Sequence, residues 1–176
     1  MADILESAHA AVADLGRSNE EELYRLLAVR LKAMERDPQR VAVFAPKIEA
    51  KELGIAAGDL LGFGKTAFAQ LATAGHGVIC GSEAQQGFQL QRLLSSFNTD
   101  VSRVTAAVAT VLIGQLAMAP AIATVVATLV IGKVAPTSVD ALCRLWGRKI
   151  GAAEPPAPPA PPAPPAPPAP PTPPKA

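Results

Sequence analysis

Residues whose types and spacing could do chemistry are few in this chain, and the first group is Gly62-Phe63-Gly64-Lys65-Thr66. A lysine and a hydroxyl following a glycine can bind phosphate when a glycine-rich turn upstream curls its backbone amides around the anion. Such a loop needs a glycine five residues before Gly64, and that place holds Asp59, with the nearest glycine one residue too early at Gly58. A carboxylate there repels the ligand. The preceding IEAKELGIAA also lacks the β-branched run of the strand that a phosphate loop follows. Gly64, Lys65 and Thr66 are therefore weak candidates for a phosphate or nucleotide, a distant alternative, and no cofactor is expected. The opposing expectation is that Gly62 and Gly64 let a neighbouring helix approach closely while Leu60, Leu61, Phe63, Phe68 and Leu71 pack. A dinucleotide site read from Gly62, Gly64 and Ala67 fails because no parallel sheet can be assembled here.

His76 and Cys80 form the second group. A structural zinc site needs about four ligands and a catalytic one about three, while the remaining His9 and Cys143 are isolated, so no metal is expected. Cys80 as a nucleophile would need His76 as base and a third group to orient it. A buried structural Cys80 in a glycine-rich loop is the preferred reading. Two cysteines are too few and too far apart for a disulfide framework, and the acidic, Ala-rich start lacks the basic residues of a signal peptide. These features point to a reducing cytoplasm. No paired carboxylates or Ser, His and Asp arrangement stands out, so the chain is expected not to be an enzyme.

The elements that must position these residues read as helices. Ile4, Leu5, Ala8, Val12 and Leu15 keep a helical period, with Gly16 expected to stop the helix in a left-handed conformation. Ser18 with Glu21 makes a capping box for a second helix with Leu23, Leu26, Leu27, Leu31 and Met34 inside, and Arg25, Arg30, Lys32 and Arg36 on a solvated face. Asp37-Pro38 opens a short helix through Val41, Val43 and Phe44, and KIEAKEL gives another turn or two before Gly54. Ser82 with Gln85 opens a helix burying Phe88, Leu93, Leu94 and Phe97; Asn98 to Asp100 form a turn and a new cap. Pro136 to Ser138 cap a last amphipathic helix, 138–150, with Val139, Leu142, Cys143, Trp146 and Ile150 inside and a basic face of Arg144, Arg148 and Lys149. Gly151 ends it.

Between these helices runs Val104 to Gly132, with no charged side chain. Pro120 divides it, either as a kink in one helix or as the first turn of a second. Ala106, Thr110 and Gly114 on one arm, and Thr124, Thr128 and Gly132 on the other, form small strips along which two arms of a hairpin, 104–134, could meet. The bulky face carries Val108, Leu112, Ile122, Val126 and Leu129 and must meet either protein or lipid. Each arm of about 15 residues spans roughly 22 Å, short of the ~30 Å hydrocarbon layer.

From Glu154 the chain repeats a PPA triplet, too poor in large apolar groups to fold, and is expected to be a polyproline II rod of roughly 60 Å at 3.1 Å per residue. The fold class expected is all-α: a small multi-helix bundle, 1–151, with a hydrophobic hairpin, then a Pro-rich disordered tail, 152–176. A net charge of +1 with 18% charged residues supplies no global field, so nucleic acid is not an expected partner. The function expected is a non-catalytic interaction or scaffold module that meets a protein partner through a helical surface or the tail, with homo-oligomers through the hairpin. The alternative is a membrane-associated or membrane-inserting protein, cytoplasmic and held at the inner face of the membrane.

Overall fold

A computed structural model describes residues 2–81, 100–132 and 136–151. Every regular element among these residues is helical: α1 (Ala2–Leu15), α2 (Glu20–Arg36), α3 (Ala57–Cys80), α4 (Val101–Leu116), α5 (Pro120–Ile131) and α6 (Val139–Ile150), with 3-10 turns at Pro38–Val41 and Ala50–Leu53. The expected helix after Ser82, Lys133 with the last residues of the expected hairpin, and the tail lie outside the described residues.

The fold is all-α, as the helical period requires, and α5 is at its centre. Every residue from Ala121 to Ile131 is buried, because α1, α2, α3, α4, α6 and the turn at Pro38–Val41 all pack on it. Its bulky residues Ile122, Val126 and Leu129, with Val108 and Leu112 of α4, are at most 2% exposed. In this fold the bulky face meets protein. Pro120 is the first residue of α5, not a kink, as suits a ring that fixes φ where the amide needs no intrahelical partner. The preceding link contains Ala117 in the left-handed region at φ 48°.

The small strips behave differently from expectation at their ends. Ala106 and Thr124 are fully buried, yet Gly114 and Gly132 are exposed and a Cβ at either would meet nothing within 4 Å. The buried Thr124 and Thr128 hydroxyls bond to carbonyls of their own helix at Ala121 (3.0 Å) and Thr124 (2.7 Å). Such back-bonding satisfies a hydroxyl donor in an apolar setting within its own helix.

Helix ends follow local chemistry with shifts of register. Asn19, not Ser18, caps α2: its Oδ1 accepts from the Glu22 amide at 2.9 Å and Glu22 Oε2 accepts from the Asn19 amide at 3.0 Å. Three consecutive glutamates make both registers legible, and asparagine caps as well as serine. Asp37 caps only a 3-10 turn, where Val41 is buried and Val43 is 54% exposed. KIEAKEL likewise supplies a single 3-10 turn closed by Gly54 at φ 63°. The glycine after α1 is not left-handed; among described residues the positive-φ glycines are Gly54, Gly132 and Gly151. Asp100 and Ser138 cap α4 and α6 through the Ser102 and Ala141 amides, and Gly151 ends α6 at φ 68°.

The largest departure is α3, one continuous helix through the expected HGVICG loop. Glycine inside a helix costs up to about 1 kcal/mol relative to alanine, and tertiary contact overrides that cost. A Cβ at Gly64 would sit 2.0 Å from the Tyr24 carbonyl oxygen of α2, and one at Gly75 2.8 Å from Trp146 Cζ2 and 2.9 Å from Leu112 Cδ2. Gly62, by contrast, would meet nothing within 4 Å, so only Gly64 of the expected pair admits a neighbouring helix.

Candidate functional site

The residues of the tempting phosphate motif sit in the interior of α3. Backbone amides there are directed to carbonyls four residues back, so Gly62 to Thr66 form no amide cradle. Thr66 Oγ1 donates to the Gly62 carbonyl at 3.1 Å, and Lys65 Nζ lies 5.9 Å from the centre of the Tyr24 ring. Gly64 is pressed against α2 as described above. The three candidates are thus brought together by helical spacing alone.

His76 and Cys80 share one face of α3, four residues apart, and the Cys80 sulfur is bonded to Cys143 of α6 with Cα atoms 5.6 Å apart. Two readings are corrected by this bond. Cys80 is neither a free buried thiol nor a nucleophile in this state, and the cysteine pair no longer argues for a reducing compartment. The two residues are separated by 63 positions in sequence, and only the return of α6 across the end of α3 brings them together. Counting cysteines detects frameworks of several bonds, not one such bond. His76 packs edge to face with Trp146, ring centres 6.3 Å apart.

Trp146 anchors α6. It is 0% exposed, its Nε1 donates to the Ala72 carbonyl of α3 at 2.9 Å, and its ring occupies the space that Gly75 leaves. Leu142 beside it is also fully buried, whereas Arg144, Arg148 and Lys149 face outward. Lys149 reaches α2, where Glu20 Oε1 accepts from Lys149 Nζ at 3.3 Å and from Tyr24 Oη at 3.0 Å. The Tyr24 hydrogen bond, aided by Lys149 and Lys65, holds the Glu20 carboxyl below its usual range. Burial, followed by that same bond and the Glu20 charge, pushes Tyr24 up to about 12.

Arg30 does not lie on a solvated face; it is 4% exposed, against the first turn of α5. Its Nη1 donates to the Ala121 carbonyl and, at 3.4 Å, to Thr124 Oγ1, while Nε has no partner. Desolvation lowers its pKa to about 10, so burial opposes the charge and no carboxylate offsets it among these contacts. The helical period did contain a hint, since Arg30 follows Leu23 and Leu27 at intervals of four and three.

A cleft of about 80 Å³ lined by Leu5, Glu6, His9, Arg103 and Ala106 opens between α1 and α4. Asp100 Oδ2 lies 3.9 Å from both His9 Nε2 and Arg103 Nε, while its Oδ1 accepts from the Ser102 amide. That carboxylate serves the start of α4. Nothing in the sequence marked His9 as its neighbour.

The chain matches no protein-family model, no curated protein and no solved structure. Among the described residues no three His, Cys, Asp or Glu side chains gather as a metal site, and no helix is long and apolar enough to cross a membrane. The arrangement with most physical content is therefore the enclosed apolar helix α5 and the helix α6 that is bonded to α3 at Cys80.

Proposed function

We propose that the chain is a non-catalytic interaction or scaffold module, a helical domain whose Pro-rich tail or outer helical faces meet a protein partner. The observation that carries this reading is the complete enclosure of α5. The longest apolar stretch is spent on the core, leaving polar helix faces and the PPA tail for recognition. We read α4 and α5 as the two arms of a hairpin, and residues 152–176 as an extended rod that follows α6. A stiff polyproline rod loses little entropy on docking to an aromatic groove. With α5 enclosed, self-association falls to the exposed end of α4 around Gly114 and Gln115. The test is titration of the full chain with a proline-binding domain that has an aromatic groove, beside a chain ending at Gly151. Binding should vanish with the tail while the melting temperature stays the same; equal binding by both would sink the tail's role.

A second reading is a membrane-associating protein of the cytoplasmic face that uncovers α4 and α5. It is favoured by the composition of α5, whose only polar side chains are Thr124 and Thr128, and by the exposed Arg144, Arg148 and Lys149 on α6. A basic amphipathic face suits anionic lipid. The 12 residues of α5 extend only about 18 Å, so contact would be interfacial or would require lengthening. Failure of the full chain to float with anionic vesicles at any salt concentration would remove this reading.

A further inference from the structure

We propose that the Cys80–Cys143 bond is a thiol-controlled latch that holds α6 over the apolar interior. The bond ties the last residue of α3 to the second turn of α6, and the chain between the two cysteines includes α4 and α5. A closed loop thus encloses the apolar helices. Apart from the bond, α6 is held by the buried Leu142 and Trp146, the latter bonded to the Ala72 carbonyl, by the half-buried Val139 and Ile150 packed on the core, and by an exposed ion pair from Lys149 to Glu20. Exposed pairs contribute little, and an isolated helix of 12 residues is marginal in water. Both cysteines are half-buried, which leaves an approach for a reductant. Beneath α6 lie Ala72, Gly75 and Leu112, all buried.

The reductant is a dithiol. Its thiolate attacks one sulfur, forming a mixed disulfide and releasing the other cysteine as thiolate; its second thiol then displaces the first cysteine. Two electrons pass to the protein, the reductant leaves as its disulfide, and proton uptake gives two cysteine thiols. Loss of the cross-link raises the opening of α6 by up to roughly a thousandfold, the size expected for a bond that joins residues 63 positions apart. Use of the uncovered face for lipid rests on the second reading above; the opening itself does not.

The test uses the single tryptophan, Trp146. The full chain is compared before and after treatment with dithiothreitol, with the bond state verified by alkylation and mass spectrometry. Acrylamide quenching of Trp146 should rise on reduction and fall again on re-oxidation, while amides of α2 and α5 remain protected from exchange. Cys143→Ser should behave as the reduced form and ignore the reductant; if it does not fold, the reversible treatment of the wild-type chain still decides. Unchanged quenching in the reduced chain overturns the latch, and so does loss of protection throughout the domain, which would make the bond a staple of the whole fold. Vesicles of anionic phospholipid are added to both forms. Trp146 exposure without flotation supports the latch and removes the lipid reading.

Discussion

Helices α3 and α5 are both rich in small and apolar residues, yet they are buried by opposite means. α5 contains no glycine and fills its surroundings with Ile122, Val125, Val126, Leu129 and Val130, each at most 2% exposed. α3 also buries Leu60, Phe68 and Ile79, but it meets α2 and α6 by subtraction. It removes side chains at Gly64 and Gly75 so that the α2 backbone and the Trp146 ring can come within contact, and it leaves Gly58, Gly62 and Gly77 in open space. Side-chain volume makes a centre around which others pack, whereas missing side chains make a seam between two particular helices. A mutation should therefore act through desolvation and cavity in α5 and through steric separation at Gly64 and Gly75 of α3.

The sharpest way to break this contrast is a charge in α5. Val126→Asp should cost more than about 4 kcal/mol, since an unpaired carboxylate would be buried, and should abolish a cooperative melt. Ala69→Asp at an exposed position of α3 should stay within about 1 kcal/mol, the size of the helix-propensity difference. Equal effects at both positions would show that α5 is not the enclosed helix. Next in size is Gly64→Ala, which sets a methyl group against the Tyr24 carbonyl and should lower stability by about 1–3 kcal/mol in a urea melt; a neutral result would dissolve the seam.

Arg30→Met tests a charge buried against α5. Replacing a desolvated guanidinium by an apolar side chain of similar length should raise stability by about 1 kcal/mol. A loss of that size would mean that the bonds to Ala121 and Thr124 outweigh desolvation. Gly62→Ala, on the open face of α3, should add roughly 0.5–1 kcal/mol through helix propensity, the reverse of its neighbour at Gly64.

The smallest effect concerns the α2 side of the seam. Tyr24 is the single tyrosine, and its folded pKa of about 12 stands above the model-compound value of 10.0. A raised folded value means that the neutral phenol stabilises the fold fully below pH 10 and ceases to do so as pH rises from 10 to about 12. Absorbance titration of the phenolate should give a midpoint near 12 in the folded protein and near 10 in denaturant, and a common midpoint would detach Tyr24 from burial and from Glu20.

What the sequence determined by itself was local or periodic. Apolar spacing located α1, α2, α4, α5 and α6, Asp100, Ser138 and Gly151 announced ends of α4 and α6, and a run without charge from Val104 to Gly132 had to leave water. These features depend on residues a few positions apart, so they are legible without the fold. Tertiary structure decided which long-range neighbours each residue met. It decided that Gly64 rather than Gly62 touches α2, that HGVIC continues a helix because Trp146 packs at Gly75, and that Arg30 lies inside against α5. It also joined Cys80 to Cys143 across 63 positions. The physical reason is that steric fit, desolvation and bond formation depend on distance in space, and the distance between α3 and α6 is set by the packing of both helices around α5.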